Sequence, residues 1–215
     1  MKKLLPLAAA IAMTCAAFSA HAAGEEWYVG GGVGTARANF NSQDFSFGTN
    51  PVFATVTESK DRSNTAYKAF AGYKINPNFS VELAYVNFGS FQYRYTDKPT
   101  GAAKDDVKIN GINVSLVGTY PIYDKVSVLG KIGAFNSRTK SNFQQDATFS
   151  ANYGLPAGSN SSNQTKLSAG LGLMYDISDK FSVRGEYEYF QEVGSASTSG
   201  RIKPSLWSVS GVYKF

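Results

Sequence analysis

The sequence predicts an all-β fold, an eight-stranded antiparallel transmembrane up-and-down β-barrel, and three observations support this class. The 215 residues include 21 Gly, 15 Phe and 13 Tyr but only 7 Pro, a composition that favours strands and turns. A Tyr-x-Ile-x3-[Phe/Val]-Ser-Val frame occurs three times with identical spacing. Short turns alternate with long polar loops along the chain, which is typical of outer-membrane barrels.

Length and composition limit the alternatives. A chain of 215 residues suits one domain, and 43% hydrophobic with 17% charged residues excludes a disordered chain. Beyond the N-terminus there is no run of about 18 apolar residues, so the sequence predicts no membrane-spanning helix. The remaining alternatives are a soluble β protein and a membrane β-barrel.

The N-terminus has the three parts of a secretory signal peptide. Two lysines form a positive region, residues 4–18 are uncharged and mostly apolar, and residues 20–22 read Ala-His-Ala, a small-x-small cleavage pattern. The apolar run is too short for a membrane helix. We therefore expect residues 1–22 to be removed and residues 23–215 to form the barrel domain.

The chain contains one Cys and one His, Cys15 and His21, and both lie in the predicted signal peptide. Cleavage would leave no imidazole and no thiol, which excludes Ser–His and Cys–His catalysis. Zinc sites depend on the same two residue types. The sequence therefore predicts no enzymatic activity, no metal site and no cofactor.

Each of the three frames predicts two strands joined by a tight turn, because turn-forming residues separate its Ile from its Phe or Val. The turns are predicted at 76–78, 123–125 and 178–180. Strands are predicted near 26–38, 65–75, 79–93, 108–120, 126–138, 165–175, 181–191 and 205–215. The other connections are long loops rich in Asn, Ser, Gly and Lys, around 39–64, 94–107, 139–164 and 192–204.

Side chains alternate between an apolar and a polar face along the predicted strands. In the seventh strand all charges fall on one face: Arg184, Glu186 and Glu188. A membrane barrel turns its apolar face to lipid, whereas a lipocalin-like soluble barrel turns that face inward. The alternation alone is compatible with both arrangements.

Three further features favour the membrane arrangement. Bulky aromatic residues on the apolar face would overfill an eight-stranded interior, while glycines leave room on the other face: Gly30, Gly32, Gly34, Gly72, Gly170 and Gly172. Tyrosines precede the short turns, as an interfacial aromatic girdle requires: Tyr73, Tyr120 and Tyr175. The last strand ends in Tyr213-Lys214-Phe215, and Tyr213 joins the predicted girdle.

Five motifs follow one another along the chain: Trp27-Tyr28-Val29-Gly30, Ala71-Gly72-Tyr73-x-Ile75-Asn76-Pro77, Tyr120-Pro121-Ile122, Arg184-x-Glu186-Tyr187 and Val212-Tyr213-Lys214-Phe215. Together they resemble the transmembrane domain of the OmpA family of outer-membrane proteins. The resemblance covers essentially the whole chain after the signal peptide. It implies an integral barrel in a Gram-negative outer membrane, with extracellular loops and periplasmic turns. It also implies that Tyr213 and Phe215 form a recognition signal for the barrel-assembly machinery.

The resemblance further implies a charge pair inside the lumen. The family's glutamate–arginine pair matches Glu82 and Arg184 in this sequence. Lys131 and Glu186 occupy further matching charged positions. We expect Glu82 and Arg184 to face each other within the barrel.

This chain also departs from the family. Val117 replaces a lysine proposed as the glutamate's alternative partner, and Met174 replaces a second lumen glutamate. Pore gating by exchange of partners is therefore not expected. The sequence ends at the last strand, so the family's periplasmic peptidoglycan-binding domain and its anchoring role are not expected either.

These observations leave three functional hypotheses. An eight-stranded lumen is just filled by side chains, which excludes a wide porin. The leading hypothesis is a non-enzymatic surface protein that acts through long extracellular loops. The second is a narrow channel or transporter for small or hydrophobic molecules. The third is a lipid-modifying enzyme, although the comparable enzymes use a histidine.

Two groups of residues near the loops are candidates for contact with partners. Aromatic residues either pack between extended hairpins or form a patch for a lipid, glycan or host protein: Phe40, Phe45, Phe47, Phe53, Phe91, Tyr93 and Tyr95. Basic residues outnumber acidic ones near the loops, and three rim residues are predicted to bind lipopolysaccharide phosphates: Arg37, Arg138 and Lys166. The alternative is an ordinary solvated surface. No nucleic-acid partner is predicted.

Overall fold

The computed structural model describes residues 27–40, 57–60, 63–97, 101–145, 158–192 and 202–215. These ranges contain nine strand segments: β1 (Trp27–Phe40), β2 (Thr57–Lys60), β3 (Ser63–Lys74), β4 (Phe79–Asp97), β5 (Gly101–Tyr123), β6 (Val126–Gln145), β7 (Gly158–Asp176), β8 (Phe181–Phe190) and β9 (Ile202–Lys214). In this part of the chain, no helix is long and apolar enough to cross a membrane. The predicted signal peptide and the loop aromatics Phe45, Phe47 and Phe53 lie outside the described residues.

The nine segments form a closed barrel with eight strand positions, and all neighbouring strands are antiparallel. β1 pairs with β3 and β9, and pairing continues through β8, β7, β6 and β5 to β4, which pairs with β3. The short β2 pairs with residues 93–96 of β4 and so continues the strand position occupied by β3. The predicted closed eight-stranded antiparallel barrel is confirmed.

Three short turns lie at one end of the barrel, which we call the turn end; the opposite end is the loop end. In the first turn, the Oδ1 of Asn76 accepts the backbone N–H groups of Asn78 at 2.9 Å and Phe79 at 2.8 Å. In the third, the Oγ of Ser178 accepts the backbone N–H of Phe181 at 3.2 Å. These side-chain bonds stabilise tight turns where the sequence predicts them.

The predicted loop at 94–107 is wrong. β4 and β5 pair continuously from Phe91↔Val107 to Asp97↔Gly101, so only residues 98–100 separate the two strands. Most of the predicted loop at 139–164 is also strand, because β6 extends to Gln145 and β7 begins at Gly158. Both segments are polar because a strand above a membrane has water on its outer face and needs no apolar alternation there.

A β-bulge interrupts β4 and changes which side chains enter the lumen. The register shifts between Asn87 and Ser90, and Gly89 has a φ of 79°. The Oδ1 of Asn87 accepts the N–H of Gly89 at 2.9 Å. In a regular strand, residues three apart lie on opposite faces, but here Phe88 and Phe91 are both buried inside. The bulge therefore allows a second phenylalanine side chain of β4 to enter the lumen.

The outer surface carries a continuous belt of large apolar side chains, which we call the apolar belt. On β5 it runs from Tyr120 at the turn end to Ile112, nine positions that suit a tilted membrane-crossing strand. Aromatic rings pair at both margins, with centroid distances of 5.0 Å for Trp27–Tyr73 and 4.7 Å for Tyr187–Trp207. Such a belt flanked by aromatic residues fits a lipid environment.

Candidate functional site: the lumen and the outer rim

Six charged side chains form one buried layer across the lumen, the charged layer. Four strands supply them, each on an inward-facing position: Lys68 on β3, Glu82 on β4, Lys131 on β6, and Arg184, Glu186 and Glu188 on β8. Every one of the six is at most 6% exposed. Three cations balance three carboxylates, so the layer carries no net charge. Balance of this kind is required because an unpaired buried charge costs several kcal/mol.

Glu82 is the centre of one half of the charged layer. Its Oε1 accepts a hydrogen bond from Lys131 Nζ at 2.6 Å, and its Oε2 accepts one from Arg184 Nη2 at 2.8 Å. The hydroxyl of Tyr28 also donates to Oε2, at 3.3 Å. The structure thus places Glu82 and Arg184 in direct contact and brings Lys131 to the same carboxylate.

The other half is built on the two glutamates of β8. Lys68 donates to Glu188 Oε1 at 2.7 Å and also bonds to Glu186. The ammonium of Lys131 lies 3.3 Å from a carboxylate oxygen of both glutamates. Lys131 therefore links the two halves into one network.

The side chain of Phe70 borders the charged layer. The Arg184 guanidinium carbon lies 4.1 Å from the centroid of the Phe70 ring, and Lys68 Nζ lies 5.6 Å from it. A Cβ on Gly30 would lie 2.2 Å from this ring. Gly30 thus leaves the space that the ring fills, and the ring holds the cations in place by cation–π contact.

A second layer, the aromatic layer, lies on the loop-end side of the charges. Phe88, Phe135 and Phe190 project inward from β4, β6 and β8, and each is 0% exposed. Their ring centroids lie 4.8 to 5.8 Å apart in edge-to-face arrangements. Because the three strands lie on different sides of the barrel, the rings meet across the lumen.

The lumen opens toward the turn end as a cavity of about 210 Å³. Tyr28 and Arg184 line it on the side of the charged layer, with Leu129 and Met174 on its wall. Near the mouth, Lys214 donates to Asp176 at 2.6 Å. The cavity is therefore polar at its mouth and bounded by the charged layer within.

Sequence reasoning missed one cation and the aromatic layer. Lys68 faces inward because it lies two residues from both Ala66 and Phe70, which are buried on the same face, and this spacing was available in the sequence. Phe88 and Phe190 were not recognised as lumen residues, because a phenylalanine in a membrane strand is expected to face lipid. Within the described residues, no group of three or more His, Cys, Asp or Glu is arranged to hold a metal ion.

The predicted girdle tyrosines lie near the turn end. Tyr73, Tyr120 and Tyr175 are 37%, 66% and 49% exposed on the outer surface. Tyr213 pairs with Phe181 on β8, and their ring centroids are 5.0 Å apart. The ring of Phe215 lies 5.2 Å from that of Tyr213, and the Phe215 N–H donates to the Trp27 carbonyl. The terminal aromatic residues thus join the edge of β1.

The three predicted rim residues do not share one face. Arg37 and Arg138 are exposed on the outer surface, each between two inward-facing neighbours. Lys166 pairs with Phe135, which is buried in the lumen, and cross-strand partners share a face. Lys166 therefore lies on the lumen-facing side, and grouping it with the two arginines was wrong.

A family model described as the OmpA-like transmembrane domain matches residues 22–215. The chain belongs to this family. It is 28% identical to outer membrane protein P5 of Haemophilus influenzae over 90% of this chain and 52% of that protein. It is 27% identical to outer membrane protein A of Salmonella typhi over 100% of this chain and 56% of that protein. The chain thus spans about half the length of the curated relatives it matches.

Solved barrels show the same fold. Neisserial surface protein A (NspA) aligns with a TM-score of 0.57 at 15% identity, covering 88% of this chain and 97% of that one. Ail, the attachment invasion locus protein of Yersinia pestis, aligns with a TM-score of 0.51 at 19% identity, covering 88% and 98%. The matched relatives are outer-membrane proteins of Gram-negative bacteria, so this chain is an integral β-barrel of the outer membrane.

Proposed function

We propose that this chain is a closed, non-enzymatic barrel that acts through its outer surface and its loop end. The observation that carries the proposal is that two layers of side chains fill the lumen in series. The charged layer has six members at most 6% exposed, and the three rings of the aromatic layer are 0% exposed. Residues 23–215 also contain neither His nor Cys.

The two layers oppose the passage of ions for different physical reasons. An ion entering from the turn end meets a neutral network whose groups already satisfy each other, so it gains little by displacing them. Beyond the network, the aromatic layer offers no polar atom to replace the hydration shell of an ion, and constrictions of this kind exclude water. Closure in series supports a surface role rather than transport.

The height of the strands supports the same role. On β4, the outer surface is apolar up to Tyr85, yet pairing with β5 continues to Asp97. The paired strands β4 to β7 thus form a wall that extends well beyond the apolar belt. With the loop end outside the cell, this wall would present a rigid surface to external ligands, including any host protein or glycan.

The partners proposed for this role are the outer-membrane lipids, including lipopolysaccharide, and the barrel-assembly machinery. The apolar belt supports the lipid contact. The position of Tyr213 and Phe215 at the end of the closing strand supports the contact with the assembly machinery. A narrow channel remains the second candidate, and the cavity of about 210 Å³ at the turn end is the observation that favours it.

Conductance across a planar bilayer separates the two candidates. We expect the folded protein to give no stepwise ion current. Glu82→Gln with Arg184→Gln and, separately, Phe190→Ala should each remain closed because one layer persists, whereas the combination should conduct. Heat-modifiable gel migration shows whether each variant is folded. A steady current through the unchanged protein would favour the channel instead.

Labelling in intact cells tests the outward placement of the loop end. Gln144→Cys lies on an exposed position of β6 at that end, and Lys125→Cys lies in a turn at the other end. A membrane-impermeant thiol reagent should label the first variant and not the second. The reverse pattern would place the turns outside and contradict the proposed surface role.

A further inference from the structure

The outer face of β5 and β6 carries three cations just beyond the apolar belt, and we call them the basic cluster: Lys108, Arg138 and Lys140. All three side chains are exposed. Lys108 pairs directly with Lys140, and Arg138 pairs with Asn110, one step closer to the belt. The Cβ atoms of directly opposite residues lie about 5 Å apart, so the two ammonium groups share one small region of the surface.

Like charges in directly opposite positions destabilise a sheet unless an anion offsets them. The described neighbours of the basic cluster are mostly neutral: Ser90 on β4, and Asn163 and Ser161 on β7. The nearest acidic position is Asp106, whose Oδ2 lies 3.7 Å from Lys104 Nζ. Among the described residues, none of the three cations has an ion pair.

The height of the basic cluster indicates which anion it meets. Ile112 is the last apolar belt residue of β5 toward the loop end. Asn110 lies two positions beyond it in that direction, and Lys108 lies four positions beyond it. At about 3.4 Å per residue, the cluster lies about 7 to 14 Å along the tilted strands beyond the belt. The headgroup zone of a bilayer extends about 5 to 8 Å beyond the hydrocarbon on each side. Lys and Arg side chains reach several ångströms along a surface, so they can enter this zone.

The direction of the side chains further limits which anion the basic cluster can meet. Neighbouring Ser137, Thr139 and Ser141 are buried and face the lumen, so Arg138 and Lys140 project away from the barrel wall. At this height the surrounding medium is the headgroup layer of the outer leaflet. A soluble ligand arriving from outside would first meet the strand ends above the cluster.

We propose that the basic cluster binds the phosphate groups of an anionic glycolipid of the outer leaflet, such as the lipid A part of lipopolysaccharide. The assignment rests on the proposed outward placement of the loop end. Charge-assisted hydrogen bonds from two ammonium groups and one guanidinium to phosphate oxygens offset the repulsion between Lys108 and Lys140. The cluster retains Arg138 from the predicted rim and replaces Arg37 and Lys166 as its companions.

The test measures binding of purified, phosphorylated lipid A to the full barrel in detergent by native mass spectrometry. The variant is Lys108→Gln, Arg138→Gln and Lys140→Gln together. The matched control removes three lysines at the turn end: Lys74→Gln, Lys125→Gln and Lys180→Gln. Heat-modifiable migration shows whether both variants are folded, which is expected because five of the replaced side chains are exposed and Lys74 lies at the open turn-end mouth of the lumen.

At about 0.01 M salt the cluster variant should bind lipid A about tenfold more weakly than the unchanged protein, while the control variant should bind normally. Dephosphorylated lipid A keeps the acyl chains and should bind all three proteins equally. Equal binding of phosphorylated lipid A by the cluster variant and the unchanged protein would overturn the assignment, and so would an equal loss in the control. Conductance and cysteine labelling test the proposed function separately, so either result is interpretable without the other.

Discussion

Lys131 on β6 donates a 2.6 Å hydrogen bond to Glu82 on β4, and this bond crosses the lumen between two strands that are not neighbours in the sheet. Both side chains are at most 2% exposed. The same ammonium group also lies 3.3 Å from Glu186 and from Glu188. Lys131 is therefore the member of the charged layer that contacts all three carboxylates.

The first prediction concerns this pair. Glu82→Gln and Lys131→Met should each destabilise the barrel by about 3 kcal/mol, because each leaves charge unpaired inside it. The double variant should lose less than the sum, with a coupling of about 1 kcal/mol or more. Urea-induced unfolding from lipid vesicles measures all four proteins. Asp176→Asn with Lys214→Met, a partly exposed pair, serves as the control and should show weaker coupling. Additive losses at Glu82 and Lys131 would mean that each is solvated independently.

A second prediction concerns Tyr28 and Gly72, which are cross-strand partners on β1 and β3. A Cβ on Gly72 would lie 2.0 Å from the Tyr28 ring, whose hydroxyl is bonded to Ser80 and Glu82. Gly72→Ala should therefore displace the ring and cost about 2 kcal/mol in unfolding experiments.

The same substitution in a Tyr28→Ala background should cost almost nothing, because the ring is gone. Gly185→Ala is the control, since a Cβ there has no neighbour within 4 Å. If Gly72→Ala were equally costly with and without Tyr28, the glycine would be required for a reason other than the ring.

The third prediction concerns the β-bulge at Gly89. Its φ of 79° disfavours any residue with a Cβ, and a Cβ there would lie 2.8 Å from Asn64 Nδ2. Gly89→Val should lower stability by about 2 kcal/mol or more, because a β-branched residue tolerates this conformation poorly. Gly89→Asn should be milder, since asparagine adopts positive φ more readily. Urea midpoints of the three proteins provide the comparison, and equal losses for Val and Asn would point to steric crowding alone.

The last prediction separates stability from assembly at the C-terminus. Phe215→Ala keeps the backbone N–H that donates to Trp27 but removes the ring beside Tyr213. We expect the variant to refold normally into detergent micelles in vitro and to accumulate poorly in the outer membrane of cells. Phe181→Ala also removes a ring beside Tyr213 without altering the terminus, so it should not show this split. A Phe215→Ala protein that inserts in cells as well as the unchanged chain would contradict a role in recognition by the assembly machinery.

Much of the barrel was predictable because its physical signals are local. Turn formers such as Asn76 and Ser178 fix the hairpins, and alternation with period two fixes which residues face inward. The charged face of β8 could be read directly from Arg184, Glu186 and Glu188. These features need only the immediate neighbours of each residue.

The errors arose where the environment changes along a strand. Above the apolar belt a strand has water outside, so residues 94–107 lack the pattern that marks β4 and β5 lower down. The bulge at Gly89 shifts the alternation within one strand, which places Phe88 and Phe91 on the same side. Lys166 lies in a predicted strand and follows the same alternation as the other lumen residues, but it was grouped by its positive charge near a predicted loop and not by the face it occupies.

The strands reach different heights at the loop end, so one side of the barrel is taller than the other. β4 continues from Tyr85 to Asp97 and β5 from Ile112 to Gly101, about 35 to 40 Å of paired strand, whereas β8 ends at Phe190, one residue after Tyr189. Along the described residues, the rim therefore slopes from a tall side to a low one. With the loop end outside the cell, as proposed, the tall side extends farther from the membrane than the low side, so the direction from which a large molecule approaches decides which contacts it makes.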